Sequence, residues 1–419
     1  MQVTQEKKLK IKNSLAKTRE KRKSQVCKVY TLKIDKSHLN SIQKKWLKKI
    51  FIEARWFYNY IISQDNIFLN TSLYKQKEIT IKVLSKFEKR NIEFLSSQMK
   101  QGLYERIKEA IKVLSKLKKL NFTIGRLKFK SEINSIDLPQ YNNTWKFNKT
   151  RIKIQGLKKP FKVHGLKQIP KGSEFANAKL VRKPSGYYIQ ITTFQQRKEK
   201  QKTNKEVGLD FGIKDSITTS DGEKLNIKIP ESYRLKRLQK GFAKKNNLKS
   251  NKRKKNLIKI KQEYERISNQ KKDQVNKLVS YLKNNYDTIY IQEEQIANWH
   301  KGLFGKQVQH SALGAIKSKL KTLESTQVIS KWEPTTKLCP VCGLLNKISL
   351  SERTYKCSCG YEKDRDTHSA NNILLIGKSK SNSVMERNST TSENKINEFS
   401  KSNLENLNHD SLKMEAKVF

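Results

Sequence analysis

The chain has 419 residues, 35% of them hydrophobic, which supplies cores for two to four domains of ~150 residues and excludes a wholly disordered basic tail. Lys and Arg number 90 against 38 Asp and Glu, a formal charge of +52 that calls for an anionic partner, nucleic acid before any other. With no run of ~18 apolar residues and no apolar core of a secretory signal, a membrane partner is set aside and a cytoplasmic protein is expected.

In chain order, residues 1–26 are Lys-rich with almost no large apolar groups, and a flexible basic arm is expected there. A unit over 27–200 follows. The alternation from Val29 to Ile34 predicts a strand, and Trp46, Ile50, Ala54, Phe57 and Ile61 predict a long helix with a buried aromatic side. Ile79, Ile81, Val83, Leu84, Phe87, Phe94 and Leu95, then Leu103, Ile107, Ile111 and Leu114, are read at helical spacing over about 75–120, giving a helical insertion at about 40–122. Within it, Arg55-Trp56-Phe57-Tyr58 offers rings for base stacking, but its register favours core packing. Short runs at Arg151 to Ile154, Phe161 to Val163 and Tyr187 to Thr193, separated by Gly and Pro, predict a small barrel or curled sheet.

The second half, 201–334, opens on the apolar strand Val207-Gly208-Leu209, ending at Asp210. Between Arg234 and Lys283 stand 18 basic and three acidic residues around a helically spaced apolar set, so 231–285 reads as a basic helical hairpin that contacts phosphates. A cysteine-bearing knuckle is placed at 335–362, the final part of the domain begun at 201 at 363–376, and a Ser-, Asn-, Glu- and Lys-rich, poorly ordered tail at 377–419.

Two constellations carry chemistry. Asp210 follows Val207 to Leu209, Glu293 and Glu294 follow Ile289 to Ile291, and Asp366 precedes an apolar helix from Ala370 to Leu375. One carboxylate at a strand end is ordinary; three brought together can hold two Mg²⁺ ions ~3.5–4 Å apart and support phosphodiester hydrolysis. Four of the five cysteines form the second set, Cys339-Pro-Val-Cys342-Gly and Cys357-Ser-Cys359-Gly. Four thiolates close a tetrahedral Zn²⁺ site with no open position for water, so this metal is expected to be structural. His300, His310 and His368 are weaker candidates, more easily read as packing residues.

Taken in order, Gly208-Leu-Asp210-Phe-Gly212-Ile, Ile289-Tyr-Ile-Gln-Glu-Glu294, the two cysteine pairs and Asp364-Arg-Asp366-Thr-His-Ser-Ala-Asn-Asn372 resemble the TnpB family of transposon-encoded, RNA-guided DNA endonucleases, over residues 206–376. The resemblance implies an α+β multidomain protein: an N-terminal wedge-like β-barrel with a helical recognition insertion, and a C-terminal RuvC-like (RNase H-like) α/β nuclease domain with an inserted zinc ribbon. It also implies a guide RNA and target double-stranded DNA as partners, one RuvC site, and Asp210 and Asp366 as first and third catalytic carboxylates. Where the family often has its middle Glu, this chain has Gln292. Residues two apart share a strand face, so Glu294 is preferred to Glu293 as the middle magnesium ligand. Thr335 and Thr336 stand where the family has a Thr-Ser pair, which implies hydroxyls for a phosphate. The competing readings are a nuclease-dead, RNA-guided DNA-binding repressor and a non-enzymatic zinc-containing RNA-binding protein. Oligomeric state is open, with a monomer favoured.

Overall fold

The computed structural model describes residues 5–390 other than 65–66, 69–71, 84–85, 198–200, 228, 230, 246, 248–249, 300–304 and 350. The chain divides near residue 200 into two compact units.

The first unit runs α1 (Gln5–Lys23), β1 (Gln25–Ile34), α2 (Ser41–Ile62), β2 (Glu78–Val83), β3 (Lys86–Asn91), α3 (Ser97–Lys119), β4 (Ser135–Leu138), β5 (Trp145–Asn148), β6 (Arg151–Ile154), β7 (Phe161–His164), β8 (Glu174–Lys183) and β9 (Gly186–Gln196). Seven strands form one sheet in the order β4-β8-β9-β1-β7-β6-β5, with antiparallel ladders. Phe147 of β5 and Phe175 of β8 bring their rings within 4.8 Å, so the sheet curls over itself. No ladder joins β4 to β5 among the described residues, and the sheet is a near-barrel rather than a closed one. α2 starts from a capping box between Asn40 and Gln43 and buries Trp46, Leu47, Ile50, Phe51, Ala54, Phe57, Tyr58 and Ile61 in the core shared with the sheet. Phe57 and Tyr58 are therefore core residues, and Trp56 packs half-buried against the same cluster.

Two expectations need correction here. Residues 78–83 and 86–91 pair as antiparallel strands, β2 with β3, not a helix, because Glu78-Ile79-Thr80-Ile81-Lys82-Val83 alternates with period two. The helix starts only after Ser96, whose hydroxyl accepts from the Met99 amide. The basic arm is a helix, α1, exposed along its length. It buries almost nothing, but Lys, Arg, Glu, Leu and Ala are strong helix formers, and Glu6 pairs with Lys10 one turn on. Its last turn is anchored by Arg22, which pairs with Glu174 at 2.9 Å and lies over the Phe194 ring.

The second unit runs β10 (Glu206–Phe211), β11 (Ile217–Thr219), β12 (Lys224–Leu225), α4 (Tyr233–Ala243), α5 (Asn251–Asn285), β13 (Thr288–Gln292), α6 (Ile296–Trp299), α7 (Gly305–Ser311), α8 (Leu313–Leu320), β14 (Thr326–Ile329), β15 (Thr354–Lys356), β16 (Glu362–Asp364) and α9 (Arg365–Thr390). Its sheet has the order β12-β11-β10-β13-β14; the first three strands are antiparallel, and β10, β13 and β14 are parallel. Val207, Leu209, Ile289 and Ile291 face one side, where they pack with Val279 and Leu282 of α5 and Leu313 and Ile316 of α8. Gly208 and Tyr290 face the other, toward α9. α4 and α5 form an antiparallel basic hairpin held by Asn256 donating to the Leu238 carbonyl and by Glu263 accepting from Ser232 and Arg266.

The tail expectation is corrected in part. α9 continues through Thr390, beyond the boundary drawn at 377. Lys378 pairs with Glu206, Lys380 with Glu333, and Gly377 lies against Tyr290, contacts that its Ser- and Lys-rich composition concealed. The remainder of the expected tail, 391–419, lies outside the described residues.

Two glycines set the distance between α9 and the sheet. A Cβ at Gly208 would fall on the Ala370 carbonyl oxygen and 2.7 Å from the Leu374 amide nitrogen, and one at Gly377 would fall on the Tyr290 ring. Backbone cannot yield as a flexible side chain can. Gly208→Ala should therefore destabilise the protein by about 3 kcal/mol or more, measured as a lowered urea midpoint, and an unchanged midpoint would contradict this packing.

Candidate active site and metal centre

Asp210 lies near the end of β10 and Glu294 two residues beyond β13, its parallel neighbour in the middle of the sheet, where Leu209 is level with Ile291. Asp366 lies in the first turn of α9. The close approach of α9 over Gly208 puts Ser369, one turn after Asp366, with its hydroxyl 3.3 Å from Asp210 Oδ1. Burial lifts the Asp210 carboxyl well above the ordinary carboxylate range, and the charges of Glu294 and Asp366 push the same way. Burial likewise raises the Glu294 carboxyl to about 7. Its Oε2 is buried with no hydrogen-bond partner.

Glu293 behaves differently. Its carboxylate is ion-paired with Lys321 and, at 3.6 Å, with Lys317, and the Lys321 hydrogen bond holds its carboxyl below the usual range. Lys317 is itself buried and donates to the Glu294 carbonyl at 2.6 Å, so the Glu293-Glu294 segment is fixed from α8.

Gln292 is fully engaged. Its amide nitrogen donates to the carbonyls of Ser330 (3.2 Å) and Glu333 (2.9 Å), and its oxygen accepts from Thr335 at 3.0 Å. The Thr335 hydroxyl is 3.4 Å from Ser369, and Asn372 donates to the carbonyls of Thr335 and Leu338, both at 2.7 Å. Thr335 is buried, which removes it as a phosphate contact; Thr336 is exposed. His368 is fully buried, stacked on Tyr355 at 3.7 Å, and its ring is pushed to about 4 by burial, so it packs the knuckle onto α9. His300 and the His310 side chain lie outside the described residues.

The four cysteines come together in the knuckle beside the β15–β16 hairpin. Their sulfurs all lie within 4.8 Å of one another, with Cys339 3.6 Å from Cys359 and Cys342 3.5 Å from Cys357. Gly343, at φ 75°, closes the first turn on the Cys339 carbonyl; Gly360, at φ 87°, closes the second on Cys357 one residue sooner. That difference lets a Cys-Ser-Cys pair mirror a Cys-Pro-Val-Cys pair. The Cys357 thiol is drawn down to about 6, chiefly by the Cys359 backbone amide, while the Cys342 and Cys359 thiols are raised. Among the described residues this is the one group of potential ligands so tightly gathered. The carboxylates converge more loosely, near enough for Glu294 and Asp366 to perturb Asp210.

The Gln292–Thr335–Asn372 network and Lys317 were not anticipated. They join positions far apart in the chain, and nothing in the local pattern marks them.

Known proteins were compared with the chain. The OrfB_IS605 family, described as a probable transposase, matches residues 189–301, and the Cas12f1-like TNB domain matches 315–373. A "Putative RNA-guided DNA endonuclease" of Streptomyces pristinaespiralis is 26% identical over 264 residues, 60% of this chain and 65% of that protein. TnpB-like protein L79 of Acanthamoeba polyphaga mimivirus is 29% identical over 208 residues, 42% of this chain and 39% of that protein. The chain thus spans less than two thirds of the length of either relative. A cryo-EM structure of a Cas12f1–sgRNA–target DNA complex aligns with a TM-score of 0.46 and 12% identity, covering 84% of this chain and 99% of that one. The two domain matches fall in order across the half that carries the carboxylates and the cysteine knuckle, and with these relatives they support the resemblance to the TnpB family.

Proposed function

We propose that the protein is an RNA-guided DNA endonuclease with a single RuvC-type site formed by Asp210, Glu294 and Asp366. The observation that carries this is Glu294 Oε2, buried and unpartnered in a group of carboxylates whose charges oppose one another. Such a group is costly as it stands and suits a divalent cation pair. When bound there, Mg²⁺ supplies an activated water and charge compensation at the leaving oxygen. The strand order β12-β11-β10-β13-β14, three antiparallel strands followed by two parallel ones, supports the RNase H-like reading. The curled N-terminal sheet with inserted α2 and α3 supports a wedge-like domain carrying a recognition insertion.

The residues divide the work. Ser369 holds Asp210, Lys317 fixes the backbone carrying Glu294, and Gln292 ties the end of β13 to the loop that leads into the knuckle. The knuckle, with Zn²⁺ on Cys339, Cys342, Cys357 and Cys359, holds the β15–β16 hairpin from which α9 emerges. The basic α4–α5 hairpin and the chain's excess positive charge grip guide and target backbones without reading bases, leaving sequence to pairing between guide RNA and one DNA strand.

The decisive experiment sequences the RNA that copurifies with the protein and offers a matched DNA duplex with Mg²⁺. Asp210→Asn, Asp366→Asn and Glu294→Gln should each lower cleavage more than about 100-fold with target binding kept, while Glu293→Gln cuts nearly as well as the parent. Tight guided binding without cutting by the parent would instead identify an RNA-guided repressor.

A second outcome concerns stability. Because the folded-state Glu294 carboxyl sits at about 7, above its unfolded value, its contribution to stability is fully present below about pH 4.5 and is lost as pH rises through about 7. Mg²⁺ should thus raise Tm more at pH 8 than at pH 5.5, at roughly 2–4 °C per kcal/mol of binding, and Asp210→Asn should shrink the difference.

Elemental analysis should find one zinc per chain. Cys357→Ser, or prolonged chelation, should release it and expose the 335–365 segment to protease while residues 27–196 stay protected; full protection of the zinc-free protein would argue against a structural metal.

A further inference from the structure

Four of the five tryptophans are buried or half-buried, whereas Trp332 is 81% exposed. It stands on the short connection between β14 and the cysteine knuckle, and that connection is firmly held. Gln292 donates to the carbonyls on both sides of it, Ser330 and Glu333; the Trp332 amide donates to Ser330 Oγ at 3.3 Å; the Thr335 amide donates to the Glu333 carbonyl at 2.9 Å; and Glu333 pairs with Lys380. A large aromatic ring on a loop fixed by its neighbours is presented to solvent at little further cost in entropy.

Two features indicate what it is presented to. The Lys331 ammonium lies 4.4 Å from the ring centroid, pairing an aromatic face with a cation as single-stranded nucleic-acid sites do. The bonds that fix the loop also lead to the carboxylates: Gln292 is two residues before Glu294, and Thr335 reaches Asp210 through the Ser369 hydroxyl.

Resting on the nuclease reading above, we propose that Trp332 is a stacking platform for an unpaired base of the DNA strand delivered to the carboxylate site, with Lys331 beside the adjacent phosphate. Stacking tolerates any base, because each has a π face, so the platform suits an enzyme whose sequence choice is made elsewhere.

The test compares an oligothymidylate of about ten nucleotides with an abasic strand of equal length and charge, bound by the full chain without added Mg²⁺ and at about 0.5 M salt, where phosphate contacts are weakened. The parent should prefer the base-bearing strand about 10-fold or more, with quenching of tryptophan emission. Trp332→Phe should keep most of that preference. Trp332→Ala should abolish preference and quenching with Tm and zinc content unchanged, and should raise the KM for cleavage more than it lowers kcat. Equal preference in the parent and Trp332→Ala would overturn the proposal even if both cut DNA. Base-dependent binding through Trp332 by a protein that never cuts would overturn the nuclease reading instead and leave the platform standing.

Discussion

The close contact between α9 and the central strand β10 is the constraint on which the second unit depends. Gly208 and Gly377 remove the side chains that would hold helix and sheet apart, and the helix backbone settles against the strand. That approach brings the first turn of α9, with Asp366 and Ser369, to the end of β10 where Asp210 stands. The same helix carries Asn372, which fastens the loop ahead of the cysteine knuckle, and His368, which packs beneath the β15–β16 hairpin. Carboxylate pocket and knuckle therefore share one structural support.

A buried amide beside the carboxylates accounts for the unusual middle segment. Gln292 occupies the inward position at the end of β13 but spends every hydrogen-bonding group on the 330–335 loop. A neutral side chain can do this without adding a further negative charge to a site already crowded with them. Two positions later the Glu294 carboxylate is buried, while Glu293 turns to the lysines of α8.

Positive charge is arranged on exposed helices rather than on the sheet of the second unit. α1, the α4–α5 hairpin and the last turns of α3 carry lysines on faces that bury little. Surfaces of this kind suit phosphate backbones, which are met by charge and shape alone, and they stand apart in the sequence from the buried carboxylates.

Much of this was readable from the chain. Apolar runs ending in Asp210 and near Glu294 read as strands because they are short and bounded by polar residues, and paired cysteines followed by glycines specify a knuckle because the thiols and the turns are local. The basic hairpin was legible for the same reason, its period being written in consecutive residues. Elsewhere local pattern misled: the paired strands β2 and β3 were absorbed into a neighbouring helical spacing, α1 was hidden by its lack of an apolar face, and the end of α9 by its polar composition. Only the tertiary structure decided that Gln292, Thr335 and Asn372 form one network, that Glu294 turns inward and Glu293 outward, and that Trp332 stands exposed on a braced loop. These depend on hydrogen bonds and close contacts between residues tens of positions apart, and such pairings leave no periodic trace in a single sequence.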